Sequence, residues 1–260
     1  EAGKGPSEEN VEIEGTEPYI VGGHTASGYW IDNNRATTIE GLYAAGDVAG
    51  GCPQKYVTGA LAEGEIAAEA ILEYLNDKDD DRIAAKNTKE ALEHGEEQKL
   101  SQIAIAKKAE YESHLNASRS LMNAEQLEEA MQKIMDQYAG GISTDYRYSG
   151  MSLAKADEKI AALLPVADTL AAMDTYELMQ IYELRERLIV CQAVIAHLAA
   201  RKETRWHSFG ENTDYPQQSE EWMKYVNSRM ENGEIKILYR DLITKENTGL
   251  NTAEKGAGER

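Results

Sequence analysis

From Asp174 onward, apolar side chains recur three or four residues apart: Leu178, Ile181, Leu184, Leu188, Cys191, Ile195 and Leu198. That period places them in one stripe along an α-helix, and Asp174-Thr175-Tyr176-Glu177 in front of it has the spacing of a capping box. The stripe reads as core, and Glu183, Arg185, Glu186 and Arg187 fall on the polar face. Upstream, Ile83 to Tyr138 is rich in Ala, Glu, Lys, Leu and Gln, which lose least on entering a helix, and Gly140-Gly141 stops the run. Residues 99–260 are therefore predicted to form a helical bundle, capped by shorter elements around Ile235 to Leu238.

The first third reads differently. Tyr19 to Val21 and Tyr29 to Asp32 are strand-like, with Asn33-Asn34 as a turn between extended pieces. Leu42 to Ala45 is a short apolar run stopped by Gly46, and a helical composition follows over Leu61 to Leu75. The chain thus leaves a buried strand, crosses a glycine-rich loop and enters a helix. Asn76 to Arg82 is a charged break and the best domain boundary. The expected organisation is an α/β flavin-binding domain remnant over 1–75, a charged linker or helix over 76–98, and a mainly α-helical bundle domain over 99–260.

Composition narrows the function classes. At 260 residues and 42% hydrophobic content the chain can bury a sizeable core. A formal charge of −19 argues against nucleic acid or an anionic membrane surface as partner. No apolar run approaches the length of about eighteen residues that a membrane span needs, and Glu1 is not followed by an export signal, so a cytoplasmic location is expected. Cys52 and Cys191 lack Cys-x-x-Cys spacing, so an iron–sulfur or zinc site held by this chain is not expected. Both read as free thiols, Cys191 in the core and Cys52 in the glycine loop.

The candidate chemistry lies at that loop. Glycines at 46, 50, 51 and 59 let backbone N–H groups approach a ligand, and the following helix points its positive end toward whatever precedes it. Asp47, directly after the strand, is an acceptor suited to a ribityl or ribose hydroxyl. His24 follows two glycines and carries the side chain that titrates most readily near neutral pH, so it can donate to an anionic substrate or move a proton. Trp30 suits either the core or a stack on a ring. On spacing alone, a nucleotide site and an ordinary turn stay equally open.

Two blocks carry a resemblance. Gly22-Gly23-His24-Thr25-Ala26-Ser27-Gly28, with Gly41 to Gly51 and Cys52-Pro53-Gln54-Lys55-Tyr56-Val57-Thr58-Gly59-Ala60-Leu61, resembles the FAD domain of the fumarate reductase/succinate dehydrogenase flavoproteins. Within them it looks specifically like the alpha subunits of dissimilatory adenylylsulfate (APS) reductases. Glu203-Thr204-Arg205-Trp206-His207-Ser208, Asp214-Tyr215-Pro216 and Trp222 are similar to that family's helical C-terminal domain. No Gly-x-Gly-x-x-Gly opens a strand–helix unit, so these residues read as the carboxy-terminal part of a longer flavoprotein.

The resemblance implies FAD as cofactor, held by Gly46, Asp47, Gly50, Gly51, Gln54, Thr58, Gly59, Ala60 and Leu61, and a catalytic or substrate-orienting role for His24. It implies interconversion of adenylylsulfate with sulfite and AMP, and an iron–sulfur beta subunit as partner. Arg205 and His207 either reach toward the active site or tie helices together. Fumarate reductases carry a substrate-clamping arginine after the glycine turn; this chain has none between Arg35 and Arg82, which speaks against a dicarboxylate. A fumarate reductase or L-aspartate oxidase-like flavoprotein, or a non-catalytic interaction module, remains the alternative.

Overall fold

The computed structural model describes residues 28–50, 57–85, 89–117, 122–205 and 210–242. His24, Gly51, Cys52, Gln54, His207 and the expected strand at Tyr19 to Val21 lie outside them. Among the described residues the protein is mainly helical, with five α-helices: α1 (Val57–Ala85), α2 (Lys89–Leu115), α3 (Ala124–Tyr138), α4 (Gly150–Ala167) and α5 (Thr175–Ala200). Two small two-stranded sheets accompany them, and neither closes. β1 (Arg147–Tyr148) pairs in parallel with β2 (Glu211–Asn212), and β3 (Lys224–Glu231) pairs antiparallel with β4 (Glu234–Asp241).

α5 forms where the apolar period places it. Asp174 caps it by accepting from the backbone N–H of Tyr176 and Glu177, both at 2.9 Å, and Glu177 returns a carboxylate to the N–H of Met173. Ile181, Leu184, Leu188 and Ile195 are buried against Leu153 and Ile160 of α4 and Leu127 of α3, with Cys191 half-buried at the edge. Each such side chain removed from water stabilises the fold by about 1.5–3 kcal/mol before ordering costs. α3 and α4 start on complete capping boxes, Asn123 with Gln126 and Ser149 with Ser152.

α2 is tied to this core through its last turn. The ring of His114 is buried, and its Nδ1 lies 2.7 Å from the carbonyl of Leu170; a carbonyl only accepts, so Nδ1 carries the proton. His114 O accepts from Ala172 N–H, and Tyr182 of α5 packs edge-on to the ring. Tyr182 also donates to Glu110 at 2.7 Å, which with burial raises its own pKa while the carboxylate's is lowered, chiefly by hydrogen bonds from Lys107 and Tyr182.

The first third departs from the expected strand–loop–helix in two ways. The extended pieces pair only through single bridges, Tyr29 with Ala49 in parallel, and Ile31 with Thr37 and Ala36 with Tyr43 antiparallel. Leu42 to Ala45 is too short and alanine-rich to bury a ladder, and Leu42 is half exposed; the run instead meets residues 35–37 around the turn at 38–41, Ala44 N–H donating to Arg35 O and Thr37 N–H to Leu42 O. The helix also begins four residues earlier than predicted and runs past the charged stretch Asn76 to Arg82, which contains neither Gly nor Pro to break it.

Candidate functional site

The glycine turn and the start of α1 form one unit. Residues Gly46–Val48 make a single 3-10 turn whose first residue is buried at φ +72°, and a Cβ there would sit 3.2 Å from the Cβ of Ala60. Only a glycine lets the turn rest on the helix in that conformation. Gly50 passes equally close to the strand in front: its N–H donates to Tyr29 O at 2.9 Å, and a Cβ would lie 2.8 Å from the same oxygen. Ile31, Ala44 and Ala49 close beneath as a small apolar cluster.

Arg35 locks this unit to α1. Its backbone has φ +66°, and its guanidinium meets the buried carboxylate of Glu63 in a two-pronged pair, Nε to Oε2 at 2.5 Å and Nη2 to Oε1 at 2.9 Å. Asp32 holds the turn from inside, accepting from Asn34 N–H and Ala36 N–H. Tyr74 of α1 donates to Glu40 at 3.2 Å.

The expected cofactor residues fall together around this unit, as far as they are described. Gly46, Asp47 and Gly50 lie on the turn, with Asp47 at the surface. Thr58, Gly59, Ala60 and Leu61 occupy the beginning of α1 rather than a loop, where the helix's first N–H groups have no intrahelical acceptor. Val48, Val57 and Leu61 are exposed apolar side chains around them, Val57 at 76%. Backbone donors, a surface carboxylate and an apolar ledge suit a flat ring bearing a polyhydroxyl chain and negative charge, so the described residues fit the expected flavin.

The downstream block is a structural knot. The side chain of Glu203 is fully buried and accepts from Arg201 Nη1 at 2.7 Å, from Arg205 Nε at 2.9 Å and Nη2 at 2.8 Å, and from Ser219 N–H at 3.0 Å. Burial opposes the charge, but the bonds from Arg205, Ser219 and Arg201 outweigh it and hold the carboxyl below its ordinary pKa. Arg201 continues to the carbonyls of Trp222 and Lys224, Thr204 donates to Tyr215 O, and Asp214 accepts from Gly150 N–H at the start of α4. Arg205 is thus spent on Glu203 and Ser219 O. Arg201, which the sequence reading passed over, is signalled only by its place just past the end of α5.

A cleft of about 420 Å³ opens between α4, α5 and the β3–β4 turn, with Leu153, Asp157, Ile195 and Glu234 among its walls. None of the expected site residues lines it. Among the described residues no helix is long and apolar enough to cross a membrane.

Comparison with known proteins bears on this arrangement. The model of the fumarate reductase flavoprotein C-terminal family matches residues 128–254. Adenylylsulfate reductase subunit alpha of Megalodesulfovibrio gigas is 28% identical over 254 residues, which is 86% of this chain and 37% of that protein. An uncharacterized FAD-dependent oxidoreductase of Methanocaldococcus jannaschii is 28% identical over 215 residues, 79% of this chain and 35% of that one. A solved structure of adenosine-5-phosphosulfate reductase in complex with sulfite, as a covalent adduct, superposes with a TM-score of 0.65 at 31% identity, covering 81% of this chain and 33% of that one.

The chain is a homologue of the C-terminal region of the APS reductase alpha and fumarate reductase flavoproteins. It spans little more than a third of the length of the curated relatives it matches, 37% and 35%. The family model covers α4, α5, the Glu203 knot and the β3–β4 hairpin, and the longer pairwise match extends to the glycine turn.

Proposed function

We propose that this chain is the carboxy-terminal part of an APS reductase flavoprotein subunit, in an enzyme that interconverts adenylylsulfate with sulfite and AMP and exchanges electrons with an iron–sulfur beta subunit. The observation that carries this reading is the state of Arg35. No arginine follows it before Arg82, and Arg35 itself is bound through two nitrogens to Glu63. The described turn therefore offers no arginine to clamp a dicarboxylate, which speaks against a fumarate reductase or L-aspartate oxidase. The identity to a reductase bound to sulfite supports the same choice.

In this reading FAD supplies reversible two-electron transfer when bound. Gly46, Asp47, Gly50 and Gly51, with Gln54 and Thr58 to Leu61, hold it: the turn by close backbone approach, Asp47 at the ribityl hydroxyls, and the N-terminus of α1 by stabilising negative charge. His24 is the residue that orients the anionic substrate or moves a proton. Glu203, Arg201 and Arg205 stay outside the reaction and hold the C-terminal elements together.

The test is steady-state kinetics of the flavoprotein that contains these residues, with an artificial electron acceptor. AMP-dependent sulfite oxidation, reduced at least about 100-fold by His24→Asn, is the expected result. Oxidation of succinate or L-aspartate in place of sulfite would overturn it.

A further inference from the structure

Arg240 on β4 is the one arginine whose burial is matched by no counter-charge among the described residues. Its guanidinium carbon lies 4.4 Å from the ring centre of Trp30 and 4.5 Å from that of Tyr225, its cross-strand partner on β3. Among the described residues no hydrogen bond or ion pair engages it, and its Nε is buried without a partner. Burial pulls its pKa below the ordinary arginine value. In a chain with 46 acidic against 27 basic residues, an arginine with no carboxylate is a departure that needs a reason.

The same face carries two further unpaired polar atoms. The indole Nε1 of Trp30 and the side-chain oxygen of Asn227 are buried without partners. Along β3, Tyr225 and Asn227 point to one side of the hairpin, and Ser228 points to the other, where it meets His197 of α5. Trp30 likewise projects away from its neighbour Ile31, which packs on Ala44 and Ala49 beneath the glycine turn.

We propose that Arg240, Trp30 and Asn227 form a binding site for a small oxyanion of the phosphate or sulfur-oxyanion class. Both rings lie within 4.5 Å of the guanidinium carbon and restrain its plane, and a guanidinium packed in this way offers its edge to a ligand. A guanidinium edge presents parallel N–H donors that match two oxygens of an anion. The indole N–H adds a donor, and the Asn227 amide, turned over, presents its Nδ2 hydrogens in place of the orphaned oxygen. The proposal does not depend on the flavin reading and holds for any activity of the chain.

The experiment is a ¹H–¹⁵N spectrum of the arginine Nε–H region. The buried Nε–H of Arg240, assigned by its loss in Arg240→Lys, is followed through titrations with inorganic phosphate, sulfite and AMP, with sodium chloride as ionic-strength control. A saturable shift of this one resonance with at least one oxyanion, not reproduced by chloride, is expected. Saturation by phosphate or sulfite identifies an inorganic ligand; saturation by AMP alone identifies a nucleotide phosphate. Trp30→Phe keeps the ring and removes the donor, and is expected to weaken binding severalfold while circular dichroism stays unchanged. No shift with any of the three, or a shift that chloride reproduces, would overturn the proposal.

Discussion

Glu203 shows how one side chain organises a region. It joins Arg201, Arg205 and the Ser219 backbone, so replacing it with Gln leaves two guanidinium groups short of their carboxylate. Removing one partner of such a buried pair costs about 3–5 kcal/mol, against a total stability of about 5–15 kcal/mol. We expect Glu203→Gln to lose about 3 kcal/mol in urea unfolding, the low end because both arginines keep some solvent contact. His197 sets a pH dependence. Burial, helped by the charge of Arg201, depresses its folded pKa below 6.5, so the unfolded state takes up the proton first on acidification. The stability this group contributes is full above about pH 6.5 and is lost as pH falls through the lower folded value. Unfolding at pH 7.5 and 5.5 should therefore show a loss on acidification that shrinks in His197→Asn; an identical loss in the variant would contradict the assignment. Of these residues, Glu203 and Arg205 were visible in the sequence as family wording, which left open whether Arg205 reaches toward the active site or ties helices together. A carboxylate's partners are set by chain segments up to sixteen residues away, and no local pattern encodes which of them meet.

At the scale of elements, periodicity and capping were the legible part. The stripe from Leu178 to Leu198 and the cap at Asp174 both appear in α5 where the spacing puts them. Asp174→Ala should cost about 1 kcal/mol through the lost cap, whereas Leu188→Ala, at a fully buried position, should cost about 2–5 kcal/mol. Thermal melts of the two variants order these effects, and equal shifts would contradict the placement of the stripe. The hairpin was only half read: Ile235 to Leu238 was expected to be ordered, but Asn232-Gly233, both at positive φ, is the turn that sets its register. The strand at Leu42 to Ala45 was over-read. An apolar run of that length does not say whether it pairs along its length or only once, and here it meets residues 35–37 through a single bridge, Ala36 with Tyr43.

For the whole molecule, the Trp30–Arg240–Tyr225 stack joins the segment before the glycine turn to the β3–β4 hairpin. Glycine spacing and family wording around Gly46 to Leu61 pointed to this turn and the start of α1 as the candidate site. What geometry added is that Thr58 to Leu61 are helical and that Arg35 is committed to Glu63. No Gly-x-Gly-x-x-Gly strand–helix unit occurs in these 260 residues, so the chain by itself should bind FAD at least about 100-fold more weakly than a protein that joins it to such a unit, as flavin fluorescence quenching would measure. The central claim is tested most directly by the visible flavin spectrum of that joined protein, titrated with sulfite and then AMP. Bleaching of the oxidised-flavin band by sulfite, with AMP then restoring electron delivery to an added acceptor, is the predicted result; a bound flavin that ignores sulfite and is bleached by succinate or L-aspartate would contradict it.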